Sequence, residues 1–446
     1  MNRSLAQTGS RYAASLSIQV YWIAGTIAAI SLWSYTGLSG WHLAFFAMLA
    51  AGLYFSFSRY QLPLMVYFST ILIYWVVAPM LQQRIGVGYY DLAVSVRDFG
   101  PTAFIFTLAH FAGILAGLLL GKSRKGRSQP PTDSKFSYFG IGAAIALLLA
   151  LTTLAGFEVI LSLRTEQGTG DASNFSILAR NIAKLLPAVL VTYFILGDWR
   201  GMSKAYRNVL LVILVALMLL YSNPFNTGRF LSLAGIALVL IAYAIKTSRK
   251  KLLAFALAFA PVYAIFLLSL TTVMRFGFDR LGSTNLLNSL QTLEFSAYSV
   301  FVDALELKHL PSDNYLLSHL FIVVPRSIWP DKAYSIGIDV AERSGYVFSN
   351  VGLSPFFNAY ADYGLLGLFG FSVLFGFVVK TLDPATAYPA FGSRSFMYGI
   401  ILTSMMPMIF RGDLGTAMLA VYPASIGYEF VRFVTGSSRR NRRTVA

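Results

Sequence analysis

The sequence predicts an all-α polytopic membrane protein: a bundle of about twelve transmembrane helices with one large loop on the outer side. Three observations predict it. Hydrophobic residues make up 56% of the 446 and charged residues only 12%, half the ~25% charge of a soluble globular chain. Apolar runs long enough to cross ~30 Å of hydrocarbon recur along the chain. Short basic clusters separate them with a fixed parity, as orientation in a membrane requires.

Taken in order, the runs are 16–36, 41–58, 62–81, 100–121, 137–162, 177–197, 208–222, 230–246, 252–273, 356–380, 395–410 and 414–431. Residues 1–15 are polar and the first run is long enough to span, so it reads as an anchor rather than a cleaved leader. With the N-terminus inside, the inner segments include 122–136, 198–207, 246–251 and the tail RRNRR at 439–443. Of the 35 Lys and Arg, 22 then lie inside and 13 outside. That imbalance accounts for much of the +16 net charge, which therefore does not point to nucleic acid. The chain divides into spans 1–9 (1–273), a large outer loop (274–355), spans 10–12 (356–431) and a basic inner tail (432–446).

The large loop is too long for an ordinary connection. Within it, 289–307 places apolar residues at helical spacing with Glu294, Asp303 and Glu306 between them, which reads as an amphipathic helix lying over the bundle. NYLLSHLFIVVP (314–325) is apolar but too short to span, and either dips into the bundle or lies on it. Elsewhere, Gly113, Gly117 and Gly121 repeat at the spacing that lets helices approach closely. Gly364, Gly367 and Gly370 read as serving the same purpose on the tenth span.

The chemistry-bearing residues concentrate outside. Arg164, Arg180, Arg229, Arg275, Arg326 and Arg411 fall at or near the outer edge, where orientation has no use for them. Guanidinium is always charged and its forked donors match phosphate oxygens, so the ring reads as an anion site for a lipid-borne phosphate. Snorkelling to headgroups competes at each single position and suits Arg180 and Lys184. In PRSIWPDK, Pro325 and Pro330 fix the backbone around Arg326, Trp329 and Lys332. The candidate phosphate-binding set is Arg164, Arg229, Arg275, Arg326, Lys332 and Arg411, which the resemblance described below implies would hold a diphosphate.

A base is sought among Asp362, His319 and Glu342. Asp362 is a charge inside an apolar helix, which is costly and usually functional. A structural cap or ion pair is its competing reading. His42 and His110 read as packed polar groups, and His309, Glu294 and Asp331 as solvated ones. The absence of Cys excludes disulfides and thiol catalysis. No metal-ligand spacing and no nucleotide-binding glycine pattern is present, so no metal and no cofactor is expected.

NPFNTGRF (223–230), NYLLSHLFIVVPRSIWPDK (314–332) and NVGLSPFFNAYADYGLLG (350–367), in this order, resemble the Wzy-type O-antigen polymerases, which join oligosaccharide repeat units. The resemblance covers about 220–370; the first half is similar in hydropathy alone. It implies a metal-independent glycosyltransferase fold of the type shared with O-antigen ligases, in the bacterial inner membrane with its active site facing the periplasm. The implied reaction polymerises undecaprenyl-diphosphate-linked oligosaccharides into surface polysaccharide, and a chain-length regulator is admitted as partner. Arg229 and Arg326 match motif positions; Arg164 and Arg275 match by location. Relatives often carry an acid where Asn358 stands, and the nearest acid here is Asp362. An O-antigen ligase acting on a lipid A core, or a transporter or flippase, are the alternative readings. The two halves show no repeat of the kind many transporters have.

Overall fold

A computed structural model describes residues 39–59, 61–85, 100–121, 138–157, 174–197, 202–222, 227–247, 296–307, 314–346, 351–384, 394–412 and 414–434. The regular elements among them are all helices: α1 (Gly40–Ser58), α2 (Leu62–Ile71), α3 (Ala78–Ile85), α4 (Pro101–Leu120), α5 (Tyr138–Ala155), α6 (Asn174–Leu196), α7 (Lys204–Tyr221), α8 (Arg229–Thr247), α9 (Ala297–Glu306), α10 (Tyr315–Leu320), α11 (Ile336–Arg343), α12 (Pro355–Leu382), α13 (Arg394–Arg411) and α14 (Leu414–Val434). Among the described residues, seven stretches are long and apolar enough to cross a membrane, and they coincide with the second, third, fourth, sixth, seventh, eighth and tenth runs of the sequence. The eleventh run is a shorter apolar helix. So is the fifth, which stops at Ala155 because Gly156 turns to φ 86°. The twelfth is α14, whose inner turns carry Glu429 and Arg432. The first and ninth runs lie outside the described residues.

Neighbouring helices run in the directions that alternation demands. Asn181 donates to the Leu419 carbonyl at 2.9 Å, and Gly427 packs on Leu186 and Val189, so α6 and α14 are parallel. Gly235 lies by Ala188, and Lys246 donates to the Gly197 carbonyl at 2.9 Å, so α8 is parallel to α6 as well. These are the sixth, eighth and twelfth runs, which must share one direction. An Arg394–Glu429 ion pair at 2.9 Å joins the start of α13 to the end of α14, as a hairpin requires. The core is centred on the Leu62–Met80 stretch and on α6, both largely buried, while α7 is largely exposed.

Between α2 and α3 the helix widens to a π-helical stretch, Leu72–Val77. Pro79 follows it. A proline has no N–H for the carbonyl one turn back, and a π turn is one way to absorb that loss. The stretch carries Trp75, buried against Phe301 of α9 with ring centroids 4.2 Å apart.

The tenth run is not one straight span. Gly364 interrupts α12 with φ 61° and ψ −154°, a conformation essentially confined to glycine. Phe356 and Phe375 have ring centroids 5.2 Å apart, which a straight helix would separate by roughly 28 Å. The chain therefore folds back at Gly364 into a helical hairpin with arms 355–363 and 365–382. A Cβ on Gly367 would meet the Ala359 carbonyl, so this glycine lets the two arms touch. The second arm alone, at ~1.5 Å per residue, covers ~27 Å of the ~30 Å hydrocarbon. It packs parallel to α4, where a Cβ on Gly113 would strike Ser372 and Phe369, one on Gly117 would strike Val373, and one on Gly121 would strike Lys380. The every-fourth glycine pattern thus serves close packing, as the sequence predicts.

The first arm runs the other way. Tyr360 lies against Phe106, and Phe356 lies against His110 one turn further along α4. Pro355 is therefore the end nearer the middle of α4 and Gly364 the end toward Pro101, the side that the sequence reading assigns as outer. Segment 355–363 is a re-entrant half-helix whose N-terminus ends within the bundle.

The expected surface helix of the large loop also differs. In its described part, α9, residues Ala297 to Ala304 are all buried, and Phe301 sits among Trp75, Phe106 and Phe357. Asp303, expected on a solvated face, is buried and accepts a hydrogen bond from the Tyr346 hydroxyl. The helix is inserted into the bundle rather than laid over it, because its polar residue finds a partner inside.

Candidate functional site

The motif segment 314–332 wraps the re-entrant arm. Helix α10 runs antiparallel beside it. Tyr315 is level with Asp362, and His319 is level with Asn358 one turn deeper. The Tyr422 hydroxyl of α14 holds the Leu320 carbonyl at 2.5 Å on the other flank. Of the two placements open to this segment, it dips into the bundle.

Asp362 gives both carboxylate oxygens to the first turn of α10. Oδ1 accepts from the Tyr315 N–H at 2.9 Å and Oδ2 from the Leu316 N–H at 2.7 Å. These donors have no intrahelical partner, and a carboxylate at a helix N-terminus also meets the favourable end of its dipole. Tyr315 is fully buried, and its hydroxyl donates to Asp339 of α11 at 2.5 Å. One residue therefore ties α10, α11 and the hairpin together.

His319 is buried, with Nδ1 at 2.7 Å from the Tyr315 carbonyl and 2.8 Å from the Asn358 carboxamide. A carbonyl oxygen only accepts, so Nδ1 bears the hydrogen. A protonated Nδ1 cannot also accept, so the two contacts are compatible when Asn358 presents its oxygen to the ring. That orientation gives Asn358 Oδ1 the partner it otherwise lacks. Nε2 is then the basic nitrogen of the ring.

Beyond α10 the chain returns outward through PRSIWPDK, and its two cations turn onto their own loop. Lys332 is buried and donates to the Ile322 and Val324 carbonyls, both at 2.8 Å. Burial first, and the neighbouring Arg326 second, hold its pKa below the usual lysine value. Arg326 is half-buried; it donates to the Lys332 carbonyl at 2.5 Å and to that of Ala333 at 3.4 Å, and lies 3.9 Å over the Tyr334 ring. Its Nε–H edge has no partner among the described residues. The Ala333 N–H donates to Ser318 Oγ at 2.9 Å, which fixes the loop beside His319.

The candidates therefore separate. His319, Asp362, Arg326 and Lys332 belong to one folded unit. Within it Asp362 is engaged as a cap and Lys332 as a clamp on carbonyls. Glu342 is exposed on α11 and its side chain makes no hydrogen bond or ion pair among the described residues. Arg229 opens α8 and Arg411 closes α13, which puts both at helix ends on the side that the sequence reading assigns as outer. Arg164 and Arg275 lie outside the described residues, as do Glu294 and His309. Sequence reasoning did not find Tyr315, Asp339 or the role of Asn358. Only Asn358 carried a signal, its place in a motif where an acid is usual. No group of three His, Asp or Glu able to hold a metal ion occurs among the described residues.

Comparison of the chain with protein-family models, with curated proteins and with solved structures finds no match.

Proposed function

We propose that the protein is a metal-independent glycosyltransferase that polymerises undecaprenyl-diphosphate-linked oligosaccharide repeat units at the outer face of a bacterial inner membrane. The observation that carries this reading is the pairing of His319 with Asn358 beside a loop whose Arg326 keeps an open guanidinium edge. In the proposed step His319 Nε2 takes the proton of an acceptor sugar hydroxyl. The hydroxyl oxygen bonds to the anomeric carbon of the donor, and the anomeric C–O bond to the diphosphate breaks. Undecaprenyl diphosphate leaves with the electron pair. Its developing charge is met by Arg326 and by the outer-end arginines Arg229 and Arg411, and preorganised cations serve that purpose well. Asp362 positions α10, and hence His319, from the first arm of the hairpin.

The test uses the purified protein in liposomes with undecaprenyl-diphosphate-linked repeat units. Products at multiples of the repeat length support polymerisation. New product formed only when a lipid A core is added identifies a ligase.

A second reading has one specific observation in its favour. Discontinuous helices ending at membrane depth are common in transporters, and the arm 355–363 ends there. Movement of the lipid-linked glycan across the liposome, with no new glycosidic bond, would support a flippase instead.

A further inference from the structure

The inner end of the re-entrant arm opens onto a small pocket. It is a cavity of about 10 Å³, enough for a group about the size of one water molecule. Its lining includes Trp75 of the π-helical stretch, Thr107 and His110 of α4, Tyr67 of α2, and Ser354 and Phe356 at the arm's N-terminus. Four further phenylalanines and Ile71 complete the wall and no carboxylate lines it.

Most of the polar groups here are already satisfied. Ser372 Oγ donates to the Leu368 carbonyl at 2.7 Å, so toward His110 it accepts. His110 Nδ1 therefore bears the hydrogen, and Nε2 accepts from the Tyr67 hydroxyl at 2.7 Å. Thr107 donates to backbone carbonyls of its own helix. None of these has a hydrogen left to offer.

Two buried side chains do. Ser354 occupies the N-cap position yet makes no side-chain cap bond, and its Oγ has no partner among the described residues. Trp75 Nε1, which can only donate, has none either. They are 7% and 5% exposed, so solvent does not serve them. The helix end adds a third donor. Pro355 has no N–H and that of Phe357 goes to the Ser354 carbonyl at 2.8 Å, while the N–H of Phe356 lies too early in the helix for an intrahelical partner. The arm's dipole places partial positive charge at the same spot.

We propose that this pocket binds a single small anion, a halide such as chloride, held by Ser354 Oγ–H, Trp75 Nε1–H and the Phe356 N–H. Three donors and a helix N-terminus offset its desolvation. The anion fixes the deep end of the hairpin to the π-helical stretch. This site is independent of the glycosyltransferase reading.

The test is thermal unfolding of the full-length protein in detergent, titrated with chloride or bromide against gluconate at constant ionic strength. A saturable rise in Tm with halide alone is expected. Ser354→Ala and Trp75→Phe should each weaken the apparent affinity at least about tenfold, the scale of one charge-assisted hydrogen bond, while Ser354→Thr keeps the response. Bromide anomalous density at the pocket decides the matter directly, even where a variant does not fold. A wild-type protein with no halide-specific response, a response unchanged in both variants, or water in place of bromide density would each overturn the proposal.

Discussion

Asp362→Asn separates a cap from a base. The carboxylate accepts two backbone N–H bonds, from Tyr315 at 2.9 Å and Leu316 at 2.7 Å. Asparagine keeps one acceptor oxygen and removes the other along with the charge. Losing one charge-assisted bond at a helix N-terminus that is partly open to solvent costs ~1–2 kcal/mol. That shifts the balance between docked and undocked α10 by roughly tenfold. Removing a general base instead costs ~10²–10⁴ in rate. The assay pairs turnover per molecule on lipid-linked repeat units with amide hydrogen exchange over 315–320. The expected variant exchanges faster in α10 and turns over within about tenfold of the parent. Turnover reduced by ~10² or more with exchange in α10 unchanged would refute the cap and return Asp362 to the role of base.

Four further outcomes are expected. His319→Ala should lower turnover by ~10² or more at normal abundance, while Asn358→Asp, which still accepts from Nδ1–H, should remain active; an active alanine variant removes His319 from the reaction. Arg326→Ala should abolish long polymer and also loosen the loop, whereas Arg326→Lys should recover abundance but not turnover, because an ammonium cannot hold the Lys332 and Ala333 carbonyls and keep an open edge; full rescue by lysine would reduce the role to charge. Gly364→Ala forces a Cβ into a glycine-only conformation and should cost roughly 1–3 kcal/mol, read as a lower Tm; an unchanged Tm would mean the turn relaxes. Reporter fusions after residues 251 and 310 should lie in opposite compartments, and a cytoplasmic result for both would reverse the reading of every outer arginine.

Much of the bundle was legible because hydropathy, glycine spacing and charge parity are local signals. The 41–58 and 230–246 runs and the Gly113–Gly117–Gly121 seam all appear where the sequence puts them. What stayed hidden depends on partners distant in sequence. Asp303 looks like a solvated face until Tyr346, 43 residues later, reaches it. Asp362 looks like a lone intramembrane acid until the first turn of α10 arrives, 46 to 47 residues upstream. The sequence identified Asp362 as an expensive charge and read Asp303 as a solvated one, and in both cases the fold supplied the donors that make burial tolerable.

The hairpin at Gly364 was hidden for another reason. Both arms are apolar, so a hydropathy window passes over the turn without a dip. Length was the one available warning. A 28-residue helix measures roughly 42 Å, well beyond the ~30 Å hydrocarbon. Tilt or folding back can absorb the excess. Tilt needs a continuous backbone, and here Gly364 breaks it while Pro355 provides a helix start that needs no N–H. Folding back leaves a helix N-terminus inside the bundle, where unsatisfied N–H groups cost several kcal/mol. That cost is tolerable only if the deep end is served by other groups, and the residues gathered there, Ser354 and Trp75, are themselves donors. Trp75 Nε1–H and the Phe356 N–H can only donate, and the Ser354 hydroxyl has a hydrogen to offer beside them, so an anion at this point would accept from all three.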